Sequence, residues 1–292
     1  MDDSDMTSTS SLLSAIRTFT SSSRPFQVLH TIGSHTSTHP STLYILDASF
    51  NPPTLAHLRL CCSALLNDTR RKSGSSRLLL LLATQNADKP PKPAGFEHRL
   101  AMMCSLAQDV RSQIEEGAGR RSQGEDIAVD VGVVKTPLFI NKVEAIASSG
   151  VYSETASDAE PQQVHLIGFD TLLRLLDPQY YPGKTLRSLE VLFGRHRVRV
   201  TGRAQDKWGD QEKQMEFVQQ LAHGIKDEEG FKREWTHNLE LVDGRRADDE
   251  AVSSTKVREA VMHEDSTILE HLITSGVRDH ITKEMLYRKE TS

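Results

Sequence analysis

Apolar residues along this chain come in short blocks whose period keeps changing. Leu43-Tyr44-Ile45-Leu46 runs without a polar face into Asp47-Ala48-Ser49, and residues 77–83 (RLLLLLA) do the same. Runs of this length, bounded by breakers, suit strands covered on both sides of a parallel sheet. Between them Pro52-Pro53 interrupts the backbone, and over 54–66 Leu55, Leu58, Cys62 and Leu65 recur on one helical face. The alternation continues. It predicts a helix at 96–110, a strand at 127–134, a helix at 139–148, a strand at 164–167 and a helix at 170–176. Strands at 197–201 and 239–242 then flank an amphipathic helix at 211–225, and the end of the chain is helical. Strands alternating with helices specify an α/β fold, a Rossmann-like doubly wound parallel sheet with a helical C-terminal region. Such sheets bind ligands outside the carboxyl ends of their strands, so chemistry is sought in the loops that follow each strand.

Residues 1–42 are rich in Ser and Thr and read as a flexible arm with one short helix at 11–18; residues 43–292 read as a single domain. Residues 113–126 are Gly- and charge-rich, as a loop would be, and 149–162 read as a disordered insertion. Net charge is -5, which argues against a general nucleic-acid binder, since that needs a basic face to neutralise phosphates. No apolar run approaches the roughly 18 residues of a membrane span. Cys61, Cys62 and Cys104 form no CxxC pair and offer neither a zinc site nor a disulfide framework. The acidic start, Met1-Asp2-Asp3-Ser4-Asp5, is unlike a targeting leader. A reducing compartment, cytoplasm and/or nucleus, is expected. Neither a GxxxxGK[ST] loop nor a GxGxxG fingerprint is present, so any nucleotide must be held by other means.

Two stretches supply those means. In Ser49-Phe50-Asn51-Pro52-Pro53-Thr54-Leu55-Ala56-His57, Thr54 and His57 are three apart at a helix start and share a face. A helix N-terminus offers free N–H groups and partial positive charge, which suits a phosphate. A histidine there can donate to a phosphate oxygen as charge develops. The ordinary alternative is a proline-stiffened turn with a capping threonine and a structural histidine. Near the other end, Val252-Ser253-Ser254-Thr255-Lys256-Val257-Arg258 precedes a helix. It reads either as a plain capped N-terminus or as a polyphosphate cradle of hydroxyls, amides and two cations. Lys256 and Arg258, two apart, point to different sides of that helix.

The first string resembles the SFNPxTxxH signature of the nicotinamide mononucleotide adenylyltransferases, their version of the HxGH box of the wider nucleotidyltransferase superfamily. Thr54 stands for the first histidine and His57 for the second; Ala48 replaces the family's usual glycine. Residues 252–258 match the family's SSTxxR box. Further stretches follow in family order. Lys89 and Lys92 lead into His98-Arg99. Gly168-Phe169-Asp170 resembles the GxD element, and Val200-Thr201-Gly202-Arg203 the strand-to-Arg element. Val277-Arg278-Asp279-His280-Ile281 to Leu286-Tyr287 resembles the closing VxxYIxxxxLY helix, with His280 for tyrosine. The family's ring-stacking tryptophan is not recognisable.

The resemblance, to a divergent fungal-like branch, implies a nucleotidyltransferase over 43–292. Such an enzyme transfers the adenylyl group of ATP, with Mg²⁺, to nicotinamide or nicotinate mononucleotide, releasing pyrophosphate. It implies catalytic roles for His57, Thr54 and Arg258. Nucleotide binding falls to Ser49, Phe50, Lys89, Lys92, Gly168, Asp170, Arg203, Ser254 and Thr255, and mononucleotide binding to Thr136 and Phe139. It implies no metal-ligand set in the chain, and ATP and the mononucleotide as partners rather than nucleic acid or membrane. On sequence two other readings stay open: another superfamily member, of phosphopantetheine or cytidylyl type, and a nucleotide-binding regulator or weak ATPase.

Overall fold

The computed structural model describes residues 8–33, 39–71, 75–84, 93–118, 127–153, 160–202, 209–244 and 252–288. Helix α1 (Thr9–Ser21) and strand β1 (Phe26–Ile32) come first. Then follow β2 (Thr42–Asp47), α2 (Leu55–Asn67), β3 (Ser76–Ala83), α3 (Phe96–Ala118), β4 (Ala128–Val134) and α4 (Phe139–Ala147). The second half holds β5 (Gln162–Gly168), α5 (Phe169–Leu175), α6 (Glu190–Phe193), β6 (Arg197–Thr201), α7 (Gln211–Ala222) and β7 (Leu239–Val242). Helices α8 (Ser254–Met262), α9 (Ser266–Leu272) and α10 (Ser275–Lys283) close the chain.

The sheet has seven strands in the order β1-β4-β3-β2-β5-β6-β7. Every neighbouring pair is parallel except β1 with β4. Leaving the edge strand β1 aside, the parallel strands run in the Rossmann order, and the order reverses between β2 and β5. Strand β2 shows why no polar face is needed. Leu43 and Ile45 pack with Ala145 and Ile146 of α4 on one side, and Tyr44 and Leu46 pack with α1, α2 and α3 on the other. Helices α5, α6 and α7 cover the second half on the α4 side. The C-terminal helices lean on α3, where Met102 meets Val257, Val277 and Ile281.

Within the 1–42 stretch expected to be an arm, residues 8–33 hold a helix and a strand. Serine and threonine mask a stripe of Leu12, Ile16 and Phe19, which are buried in the same core as α2 and α3. Ser8 caps this helix by accepting from the Ser11 N–H. Strand β1 pairs antiparallel along β4, with a bulge between Val28 and His30, and Thr31 donates to Asp130 at 2.7 Å. Asp130 is also bound by Arg77 at 2.6 Å and by the Tyr152 hydroxyl at 2.9 Å. Tyr152 thus anchors the start of the 149–162 segment; residues 154–159 of that segment lie outside the described residues. Helix α3 runs on to Ala118, past the expected end at 110, because Ile114 continues its buried face. Part of the expected 113–126 loop is therefore helix, and 119–126 lie outside the described residues.

The packing of α1 gives a direct check. Phe19 is fully buried, and truncating a buried phenylalanine typically costs about 3–5 kcal/mol. Phe19→Ala should lower unfolding stability by about that amount in a urea titration. An unshifted midpoint would mean that α1 does not belong to the core.

Candidate active site

Strands β2 and β5 lie side by side, paired in register from Thr42 with Gln162 to Ile45 with His165. Their carboxyl ends flank the point where strand order reverses, which is where open α/β sheets hold ligands. The loop leaving β2 is shaped by its own residues. Phe50 takes a left-handed conformation with φ 45°, and the Asn51–Pro52 peptide is cis. Thr54, in extended conformation, caps α2. Its backbone N–H donates to Nδ1 of His57 at 3.0 Å, and its hydroxyl lies 2.9 Å from the same nitrogen. An amide N–H only donates, so Nδ1 must accept. In the neutral ring the proton therefore sits on Nε2. The Phe50 ring packs against the imidazole at 5.3 Å between centroids. His57 thus presents a fixed Nε2–H donor at the first turn of α2.

The serine box closes over this loop from the far end of the chain. Ser253 caps α8 by accepting from the Lys256 N–H. Ser254 Oγ donates to the carbonyl of Pro52 at 2.7 Å, and Arg258 donates to the carbonyl of Asn51 at 2.8 Å. Arg258 also donates to Thr255 Oγ1 at 3.1 Å. Two stretches more than 200 residues apart in sequence are thereby in direct contact. The amino ends of α2 and α8 meet, and a guanidinium lies at their junction. Orphan helix N–H groups and helix dipoles from two elements favour an anion in such a place.

The sequence-based site residues fall into five sets. His57, Ser254, Thr255 and Arg258 gather at this junction, and Ser49 is an exposed residue of the loop that leads to it. Thr54 and Phe50 belong to the same loop but are buried, at 2% and 0% exposure. The Thr54 hydroxyl lies against the His57 ring nitrogen, and the Phe50 ring packs on the imidazole. Gly168 ends β5 as the N-cap of α5, and Asp170 stands in the first turn of that helix. Thr136 precedes α4 and Phe139 opens it; this is the other side of the sheet, where the Phe139 ring packs on His165 at 4.8 Å. Lys89, Lys92 and Arg203 lie outside the described residues. The Ala48 methyl, where a glycine was expected, packs against the core.

Three groups at the site were not assigned from sequence. Tyr287 donates from its hydroxyl to Asn51 Oδ1 at 2.8 Å. Arg99, nearly buried, donates to the Ala94 carbonyl at 2.9 Å. Burial pulls its pKa below the usual arginine value, with Tyr287 opposing and the Arg258 charge adding. At the end of β2, Asp47 pairs with the buried Lys142 of α4 at 2.5 Å. The only sequence signal for Tyr287 was its place in the closing helix pattern. Asp47 and Lys142 gave no signal, because they meet only across the sheet face.

With this geometry in hand, the chain can be set beside known proteins. No protein-family model matches it. It is 28% identical over 247 residues to a Schizosaccharomyces pombe protein named "Putative nicotinamide mononucleotide adenylyltransferase", covering 84% of this chain and 86% of the relative. Among solved structures it is similar to the Plasmodium falciparum nicotinic acid mononucleotide adenylyltransferase. The form complexed with NaAD matches with a TM-score of 0.54 and 12% identity, over 85% of this chain and 97% of that one. The form complexed with APC matches with a TM-score of 0.51 and 11% identity, over the same shares. At such identities the structural likeness speaks to fold, and the fold is the Rossmann-like one expected. The likeness to the adenylyltransferase family read from the two boxes extends over most of the chain. No helix among the described residues is long and apolar enough to cross a membrane.

The imidazole behind this loop yields a test that needs no ligand. Burial pushes His165 down to about 3, and neighbouring His196 and Lys142 add to the effect. In the unfolded chain it titrates at its ordinary value of 6.5. Between those values the unfolded state binds a proton that the folded state refuses. Stability from this residue is therefore complete above pH 6.5 and falls as pH drops toward 3, by at most about 1.4 kcal/mol per pH unit. Urea titrations from pH 6.5 to 4.5 should show a shallower loss for His165→Gln than for the parent. Parallel slopes would remove His165 from the acid response.

Proposed function

We propose that this chain, which carries the fold and both loop boxes of the nicotinamide mononucleotide adenylyltransferases, is an enzyme that transfers the adenylyl group of ATP to nicotinamide or nicotinate mononucleotide. The observation that carries the reading is the docking of Ser254 and Arg258 onto the Asn51 and Pro52 carbonyls, beside the fixed Nε2–H of His57. Either box alone is an ordinary capped helix. Together they form one anion-binding junction at the sheet's switch point.

The chemistry is direct group transfer. An oxygen of the mononucleotide 5′-phosphate attacks the α-phosphorus of ATP. A new P–O bond forms as the bond from that phosphorus to the bridging oxygen breaks, and pyrophosphate leaves with the charge. No side chain becomes covalent, so catalysis is positioning and charge stabilisation. His57 donates from Nε2 to an α-phosphate oxygen, and Thr54 holds the ring in the tautomer that can do so. The α8 N-terminus, with Thr255 and Arg258, receives the β- and γ-phosphates; Lys89, Lys92 and Arg203 add charge by resemblance. A guanidinium has five N–H donors, so holding the Asn51 carbonyl does not exhaust Arg258. By the same resemblance Gly168 and Asp170 hold a ribose, and Thr136 and Phe139 the mononucleotide. Magnesium arrives as part of the substrate, on the ATP phosphates. The described residues gather no group of three or more His, Cys, Asp or Glu side chains for an ion of their own.

The test is an HPLC assay with ATP, Mg²⁺ and a panel of phosphate acceptors, followed for dinucleotide and pyrophosphate. A chain that binds ATP yet forms no dinucleotide would be a regulator instead. Within the assay, His57→Ala should lower kcat on the order of 100-fold or more, as loss of one transition-state donor does, with its melting temperature retained. Arg258→Lys keeps the charge but loses the fork that matches phosphate and carbonyl together. It should impair ATP use clearly while Lys256→Ala changes little; the reverse ranking would mean that the box is misplaced.

A further inference from the structure

Asn51 is held at two points by the last helices of the chain. Arg258 of α8 donates to its main-chain carbonyl, and the hydroxyl of Tyr287, just beyond α10, donates to its side-chain oxygen, each at 2.8 Å. Asn51 is 5% exposed and stands between the left-handed Phe50 and the cis-linked Pro52. The phenol is poorly solvated, and burial raises its pKa above the ordinary tyrosine value, with the nearby Arg99 and Arg258 charges opposing. It therefore remains a protonated donor at neutral pH. Its own backbone is in the left-handed region, at φ 61°, a conformation that non-glycine residues adopt infrequently and that local packing must maintain. That packing is visible. Val277 and Ile281 of α10 are buried against Met102 of α3, His280 lies 3.4 Å from His98 of α3, and Leu286 packs on the same cluster.

We propose that Tyr287 is a positioning residue of the nucleotide loop: its hydroxyl fixes the Asn51 side chain, and through it the path of residues 50–54 that aims His57. The inference rests on the function proposed above and assigns to the closing segment a part in the reaction beyond packing. Tyr287 touches no reacting atom. Its contribution is to hold a donor within a fraction of an ångström of its working place. Misplacement of about 1 Å costs on the order of 100-fold in rate.

Tyr287→Phe removes one oxygen and keeps the ring. It should lower kcat about 10- to 100-fold while the KM values for ATP and mononucleotide stay within about threefold, because the phosphate cradle of α8 is untouched. Its melting temperature should stay close to the parent's. Asn51→Ala should reproduce the kcat loss, and the double variant should be no slower than Asn51→Ala alone, since both act through one contact. An unchanged kcat in Tyr287→Phe, a loss confined to KM, or fully additive losses in the double variant would overturn the inference. So would a kcat loss that merely follows a fallen melting temperature. Parent protein that forms no dinucleotide with any acceptor would overturn the proposed function and this inference together. An active parent with an indifferent Tyr287→Phe overturns this inference alone.

Discussion

Everything at this site depends on one topological constraint, the reversal of strand order between β2 and β5. Two adjacent parallel strands deliver their next segments to opposite sides of the sheet. Helix α2 goes to the side of α1 and α3, and α5 goes to the side of α4 and α7. The backbone must part there, and the gap cannot be filled by either helix. Amide groups and a partly covered floor are what remain. The loop that starts the gap is then fixed by hydrogen bonds to its own carbonyls and side chains from α8 and from the segment after α10.

The site is built by pairing polar groups with polar groups before any ligand is considered. Buried carbonyls of Asn51 and Pro52 accept from Arg258 and Ser254, and a buried threonine hydroxyl meets an imidazole nitrogen. Leaving such groups without partners would cost roughly 1–3 kcal/mol each. The same economy recurs away from the site. Asp68 collects Tyr44 and Arg197, and Asp130 collects Arg77, Thr31 and Tyr152. Hydrogen bonds from Arg197, the Arg70 amide and Tyr44 hold the Asp68 carboxyl below its usual range despite burial.

Legibility in the sequence followed the range of the interactions concerned. The strands at Thr42–Asp47 and Ser76–Ala83 could be read because an uninterrupted apolar run has few other uses. The loop at Thr54 and His57 could be read because its contacts are local, three residues apart. The helix at Thr9–Ser21 was underestimated because its exposed faces are serine and threonine, and few side chains, chiefly Leu12, Ile16 and Phe19, commit it to the core. Strand β1 was missed because its partner lies about a hundred residues on, in β4. Tyr287 and the Asp47–Lys142 pair were beyond reach for the same reason. Nothing near them in sequence says what they will face. Burial of Thr54 and Phe50 likewise became visible only once the loop had a shape.

The bonds to Asn51 also say something about order in time. They join residue 51 to partners 207 and 236 positions further along the chain. A ribosome makes the loop first and its two fasteners more than 200 residues later. The central strands and the first helices can meet well before residue 258 exists, so the scaffold precedes the junction. A product that stops short of the serine box would keep a sheet and a histidine yet have no cradle. Assembly of this junction therefore follows synthesis of the central strands, and its geometry is set last.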